Sequence, residues 1–407
     1  MAREIPRQHS TELEPIPHQQ KASSDGSSTH LSDDSSPSTN DNFDQPSSDA
    51  RLNGGFTAWS QVFVSFLLVF NGFGYFSSFG LFQSHWVESL NASPSDIAWI
   101  LGAFSTSAVT KYWQLILAQG LVQGIGNGML FTPCVALVSV YFDKGRAFAL
   151  SLAACGAPIG GIVFPLISRQ LSSTVGFPWT VRVMGFIMVF NTFLILALGR
   201  PRKFKKERRP LLEPAAFKEK VYLFYSIGIF FTLWGLYIAY FYTSTFGRKI
   251  IGLSDSDSLT LLLVLNAAGV PGRLVPAFIA DRFFGPFNTM LPFVMGSSIM
   301  LLVWMRVETT SGFYAFVVLY GICANAVQTL FPSTLSSLVA DPSKMGQRVG
   351  MVFGVGSLAC LTGPPLAGVL VGVGNGSYTY MQLYGGLSVM VGFVFLGVSR
   401  LCQLRGW

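Results

Sequence analysis

The sequence predicts an all-α, polytopic membrane protein with about ten transmembrane helices. Three observations lead there. Long apolar stretches, some ten of them running close to or beyond 18 residues, recur from Phe56 to Leu401 with mainly short polar turns between them. Of the 407 residues, 50% are hydrophobic and only 12% charged, with a mean hydropathy of +0.48, a balance that leaves too little charge to wet the surface of a globule. Positive charge gathers in the loops: nine of the 27 Lys and Arg residues lie between Arg200 and Lys220.

Residues 1–50 are a different material, rich in Ser, Asp, Pro, Gln and Asn. Such a segment buries too little apolar surface to offset the entropy of ordering, so it is predicted to be a disordered cytoplasmic tail. It has no apolar core of the signal-peptide kind, which leaves the first span to direct insertion. The predicted spans are Thr57–Phe82, Trp113–Val138, Ala147–Ile167, Val183–Leu198, Val221–Thr245, Leu259–Ala280, Met290–Val307, Phe313–Leu335, Val349–Val371 and Leu383–Leu401. Ile97–Val109 is too short and too rich in Ser and Ala to count as a span. Residues 51–198 form a first, incomplete helix bundle, 199–220 a basic cytoplasmic linker, and 221–407 a six-helix second bundle.

Four loops carry positive charge: Asp143–Arg146, Arg200–Lys220, Asp281–Arg282 and Asp341–Arg348. Two spans separate each from the next, so all four face one side, the cytoplasm by the positive-inside rule. Both termini then lie inside, and the glycosylation sequons at Asn91 and Asn375 fall outside. The expected location is a membrane, multi-pass, and the plasma membrane in particular. The net charge of +7 sits in those loops and gives no reason to expect nucleic acid. The five cysteines show no CxxC spacing and read as packed thiols, and the four histidines lie outside the spans. No metal or cofactor is expected.

The two halves repeat each other. Gly156-Ala157-Pro158-Ile159-Gly160-Gly161 matches Gly363-Pro364-Pro365-Leu366-Ala367-Gly368. Gly120, Gly124 and Gly128, Gly156 and Gly160, and Gly350 and Gly354 are spaced four apart, which flattens one helix face for a close neighbour. Parallel halves joined by a basic loop are a transporter pattern.

Three passages carry a family resemblance. Asn53-Gly54-Gly55-Phe56-Thr57-Ala58-Trp59, Tyr141-Phe142-Asp143-Lys144-Gly145-Arg146-Ala147 with the Gly-rich stretch after it, and Gly272-Arg273 with Ala280-Asp281-Arg282-Phe283-Phe284-Gly285 resemble signatures of the major facilitator superfamily. Within it the chain resembles the fungal branch of the monocarboxylate porters. The resemblance implies a two-bundle fold of twelve helices, and here helix two is cut short and helix three is absent. Ser93–Trp99 resembles the start of helix two, and Lys111-Tyr112-Trp113-Gln114 resembles the start of helix four. A diverged transporter, a splicing or gene-assembly product, and a degenerate copy all fit that departure.

Arg273 is the clearest charge inside a span, eight residues before Asp281 and so roughly 12 Å along the helix from it. A charge there costs about 2.5–3.5 kcal/mol. It either snorkels or pairs with a helix end, or it holds a substrate carboxylate through a bidentate fork. The resemblance favours the second role. It also places an acid, in animal members, at the position of Gly269 and a Lys at that of Ser78, so proton coupling through those groups is in question here. Ser78, Asn127, Tyr237, Tyr240, Asn266, Asn325 and Gln328 are further candidates to line a cavity. Lys144, Arg146, Asp281 and Arg282 read as gating or loop-stabilising residues.

The expected function is secondary active transport of a small organic acid or fungal metabolite by alternating access. The partners are an organic anion, protons as a candidate co-substrate, and the lipid bilayer. No Walker sequence is present, and no paired carboxylates or activated nucleophile suggest an enzyme. A non-transporting receptor or scaffold, or an inactive truncated transporter, is the alternative. With only four spans and a stub in the first half, one cavity wall is predicted to stand open to lipid. Restoring a second and third helix between Ser105 and Ser107 is expected to raise surface abundance and uptake in a transporter-deficient yeast; equal values for the two versions would show that ten spans suffice.

Overall fold

The computed structural model describes residues 55–74, 138, 141–142, 145–199, 212–339 and 344–406. All regular structure among them is helical. α1 (Phe56–Val69) runs on into a π-helical turn, Phe70–Gly74. α2 (Arg146–Ala154) and α3 (Gly156–Val175) form one rod broken at Cys155, and α4 (Phe177–Leu198) follows. After the linker, α5 (Lys220–Leu236) and α6 (Ile238–Lys249) form a second rod, broken at Tyr237. Then come α7 (Asp255–Ile279) with a π turn at Ala280–Phe284, α8 (Gly285–Val303), α9 (Thr310–Leu338), α10 (Met345–Val373) and α11 (Thr379–Leu404). Nine of the ten expected spans therefore appear as helices among the described residues. The second span lies outside them except for Val138, as does the first span beyond Gly74.

The helices outrun their apolar cores. The eighth span, expected at Phe313–Leu335, extends to Thr310–Leu338, and its first turn is capped by the Thr309 hydroxyl, which accepts from the Gly312 N–H. Ser254 caps α7 in the same way through the Asp257 N–H. Proline persists inside α3, α7, α8, α9 and α10. Neighbouring helices make this tolerable in lipid by supplying donors to backbone carbonyls. At the α5–α6 break, the Tyr320 hydroxyl donates to the freed Leu236 carbonyl. Ser298 Oγ donates across to Gly386 O at 2.8 Å. In the first half, Asn191 Nδ2 donates to Asn71 Oδ1 at 2.8 Å and ties α4 to α1.

Glycine sets two of the tightest approaches. A Cβ on Gly156 would overlap the Phe66 carbonyl of α1, and a Cβ on Gly235 of α5 would overlap the Gly385 carbonyl of α11. The expectation for Gly350 and Gly354 differs: a Cβ there meets nothing among the described residues, so α10 shows no close helix neighbour at that face. Outward faces are apolar instead of polar, as on α4, where Phe190, Phe193 and Leu196 are all exposed. That inversion belongs to a helix whose solvent is hydrocarbon.

The basic loops gather at one end. Glu213 of the linker takes Lys344 Nζ at 2.6 Å and Arg348 Nε at 3.2 Å. Arg348 reaches Glu219 with both terminal nitrogens, at 2.7 and 2.5 Å, and stacks over the Tyr222 ring. Hydrogen bonds from Lys344 and Arg348 hold the Glu213 carboxyl below its ordinary range. A depressed carboxylate stabilises the fold fully above its unfolded pKa of about 4.3 and loses that contribution as pH falls through its lower folded value. Glu213→Gln is therefore expected to lower the Tm in detergent at neutral pH, with the gap to wild type closing below about pH 4. A gap independent of pH would show that the carboxylate charge plays no part.

Candidate functional site

Arg273 sits mid-helix on α7, 6% exposed. Its Nη1 donates to Thr329 Oγ1 and its Nη2 to Gln328 Oε1, both at 3.2 Å, and its Nε has no partner. Both acceptors are neutral. A buried guanidinium with no carboxylate among the described residues is an uncompensated cation there.

A chain of hydrogen bonds leads away from it. With Gln328 Oε1 turned to Arg273, Gln328 Nε2 donates to the Tyr240 hydroxyl at 3.2 Å. Asn325 Nδ2 donates to the same hydroxyl at 2.8 Å and to Gly321 O at 2.8 Å. Tyr240 thus accepts two hydrogen bonds, and its own O–H proton is left as a donor. Tyr237, at the α5–α6 break, lies 5.9 Å from Tyr240, ring centre to ring centre. Tyr237, Tyr240 and Cys155 are all within electrostatic reach of Arg273. Asn325, Gln328 and Thr329 share one face of α9, at i, i+3 and i+4. The cluster offers Arg273 Nε–H and Tyr240 O–H to a ligand and no acidic acceptor, which suits an oxygen-bearing anion.

Five of the residues singled out in sequence, Tyr237, Tyr240, Arg273, Asn325 and Gln328, meet here. Asn266 does not join them. Its amide, two turns earlier on α7, donates to Leu262 O at 2.9 Å and across to Gly161 O of α3 at 3.4 Å. Ser78, Asn127, Lys144 and Asn91 lie outside the described residues. Asn375 is exposed in a left-handed turn (φ 51°) between α10 and α11, at the end opposite the basic loops. Thr329 was missed: a lone threonine on an apolar helix gives no signal until its register with Asn325 is known.

Asp281 has a defined role. Its Oδ1 accepts from the Ala147 N–H at 3.2 Å and its Oδ2 from the Phe148 N–H at 2.7 Å. It thereby caps α2 from across the chain and meets the positive end of that helix. Arg282 beside it is exposed. Arg146 reaches Met345 Sδ at 3.2 Å. At the other end, Arg169 Nη2 of α3 donates to Ser256 Oγ of α7 at 2.7 Å. α7 is thus fastened to the α2–α3 rod at both ends, with Asn266 between them.

The fold and the polar contacts fastening its helices at either end can be set beside known proteins. The Major Facilitator Superfamily profile matches residues 106–364. An "MFS-type transporter" of Gibberella zeae is 34% identical, over 87% of this chain and 88% of its own length. The "Aspyridones efflux protein apdF" of Emericella nidulans is 29% identical, over 89% of this chain and 81% of its own. Among solved structures, the E. coli fucose:proton symporter FucP superposes with a TM-score of 0.61 at 14% identity, covering 84% of this chain and 98% of that one. This chain belongs to the major facilitator superfamily, a family of transporters and not, in general, of enzymes.

If the Asp281 cap holds the basic end shut, removing it should loosen that end. Asp281→Ala is expected to cost about 1 kcal/mol, roughly a fivefold shift toward opening at that end. The measurement is the labelling rate of a cysteine placed at Phe148 by an impermeant thiol reagent; an unchanged rate would separate Asp281 from the gate.

Proposed function

We propose that the protein carries a small organic anion, an acidic fungal metabolite, across the plasma membrane by alternating access, in the manner of the monocarboxylate porters. The observation that carries this reading is Arg273, buried, charged, and given only neutral acceptors among the described residues. A carboxylate would take the Nε–H and a terminal N–H as a fork, while Tyr240 donates to a second oxygen. Thr329 and Gln328 hold the guanidinium so that little ordering remains on binding.

Access alternates along the α7 seam. Opening the basic end breaks the Asp281 cap on α2, and opening the other end breaks the Arg169–Ser256 contact. Neither rupture disturbs the Arg273–Gln328–Tyr240 chain, which lies wholly on α6, α7 and α9. The basic end, with both termini, faces the cytoplasm in this reading, and Asn375 is the glycan acceptor outside. Export is the favoured direction, because relatives named for aspyridones and agnestins are efflux proteins.

Arg273→Ala is expected to abolish anion transport while leaving the protein in the membrane, and Arg273→Lys to restore it in part, since an ammonium lacks the fork. Uptake of radiolabelled lactate and benzenesulfonate into proteoliposomes, normalised to protein, tests this. Undiminished transport by the Ala variant would remove Arg273 from the site, and equal performance of Lys and Arg would remove the fork.

A further inference from the structure

We propose that the transporter works as a one-for-one exchanger of organic anions: the anion itself, and not a proton, neutralises Arg273 for each crossing. This rests on the reading of Arg273 as the anion site. A side chain that picks up a proton in transport must sit within the membrane and titrate near neutral pH. The predicted spans contain no Asp, Glu or His. Arg306 and Arg400 stand near helix ends, and Arg400 donates to Asn288 Oδ1 at 2.8 Å. Arg273 alone occupies the middle of a span.

The packing leaves no place for a carboxylate beside it on α7. One helical turn earlier stands Gly269. A Cβ there would come within 2.8–2.9 Å of the Asn325 amide, which is held by its bonds to Gly321 O and Tyr240. The space in which an acid on α7 would pair with Arg273 is filled by a neutral amide. From α9 the guanidinium receives Gln328 and Thr329, both neutral. From the α2–α3 rod comes Cys155, and from the α5–α6 rod Tyr237 and Tyr240, groups whose ordinary pKa values lie above neutrality.

The consequence concerns the empty return. Moving an unpaired guanidinium through the closed intermediate carries a desolvation penalty that a bound anion removes. Reorientation without an anion should be slower by on the order of 100-fold. The loaded carrier has no net charge at this site, so a monoanion crosses without moving charge. Each anion leaving must then be replaced by one entering.

The full-length protein in proteoliposomes tests this with radiolabelled benzenesulfonate, whose sulfonate stays ionised across the working pH range, and with lactate as a second probe. Internal unlabelled benzenesulfonate is expected to speed labelled uptake more than tenfold over vesicles without it. That exchange should be insensitive to lowering the outer pH from about 7.5 to about 6 and to a potassium–valinomycin potential, and it should vanish in Arg273→Ala. Concentrative uptake into vesicles free of internal anion, driven by an inward proton gradient and matched by acidification of trapped pyranine, would overturn the exchange mode while leaving the anion site standing. Exchange that persists in Arg273→Ala, or the lack of any transport of either probe by the wild type, would instead overturn the anion site.

Discussion

Lipid offers no hydrogen bonds, and that constraint shapes this molecule more than any single contact. Each backbone must close its own bonds as a helix, and each polar side chain within the bilayer must find a partner inside the protein. The described residues follow the rule closely. Thr232 turns back to Gly228 O, Ser226 to Tyr222 O, and Tyr225 reaches Phe331 O. Where α5 breaks at Tyr237, the exposed Leu236 carbonyl is met by Tyr320 from α9. The exceptions are informative. Trp304 Nε1, Ser258 Oγ and the Tyr384 hydroxyl are buried without partners, but each is neutral and the cost is that of one unmade bond. Arg273 carries a charge, and its uncompensated state is of a different order.

α7 joins that charge to the moving parts. Its π turn holds Asp281 against the start of α2, its middle carries Arg273 and Asn266, and its first turn presents Ser256 to Arg169. A rod fastened at both ends to the same neighbour can open at one end only by tilting about the middle. Asn266 lies at that middle, and its bond to Gly161 O, long at 3.4 Å, is a weak one. The α5–α11 seam is built differently. Gly235 and Gly385 bring two backbones into contact there.

Much of this was legible in the sequence, because membrane helices announce themselves by length and apolar content. The spans expected at Val349–Val371 and Leu383–Leu401 both lie inside observed helices that extend a turn or so further at each end. Polar turns shift the apolar edge without ending the helix. The break at Cys155 had a signal in Gly156 and Pro158, since a helical proline crowds the carbonyl four residues back, but the break at Tyr237 carries no proline. Arg273 stood out because charge in a span is expensive; of its two partners Gln328 was a candidate and Thr329 was not, because which face of α9 turns inward depends on packing. The linker cluster of Glu213, Lys344 and Arg348 was invisible for another reason. Glu213 is far from the other two in sequence, and a basic loop reads as solvated charge until the acid that organises it is located.

The positions of the two breaks carry the last step. Cys155 interrupts the α2–α3 rod and Tyr237 the α5–α6 rod, and these rods come from different halves of the chain. Both residues lie within electrostatic reach of the same guanidinium. A helix bends more readily where its regular geometry is interrupted. Both interruptions therefore lie near the Arg273 guanidinium. An anion settling on Arg273 changes the electrostatics at both hinges at once, and a ligand shifts a conformational equilibrium only through such differential contact with the states it separates. In the proposed function binding and movement then need no long relay, and the Asp281 and Arg169 contacts are the latches at the two ends.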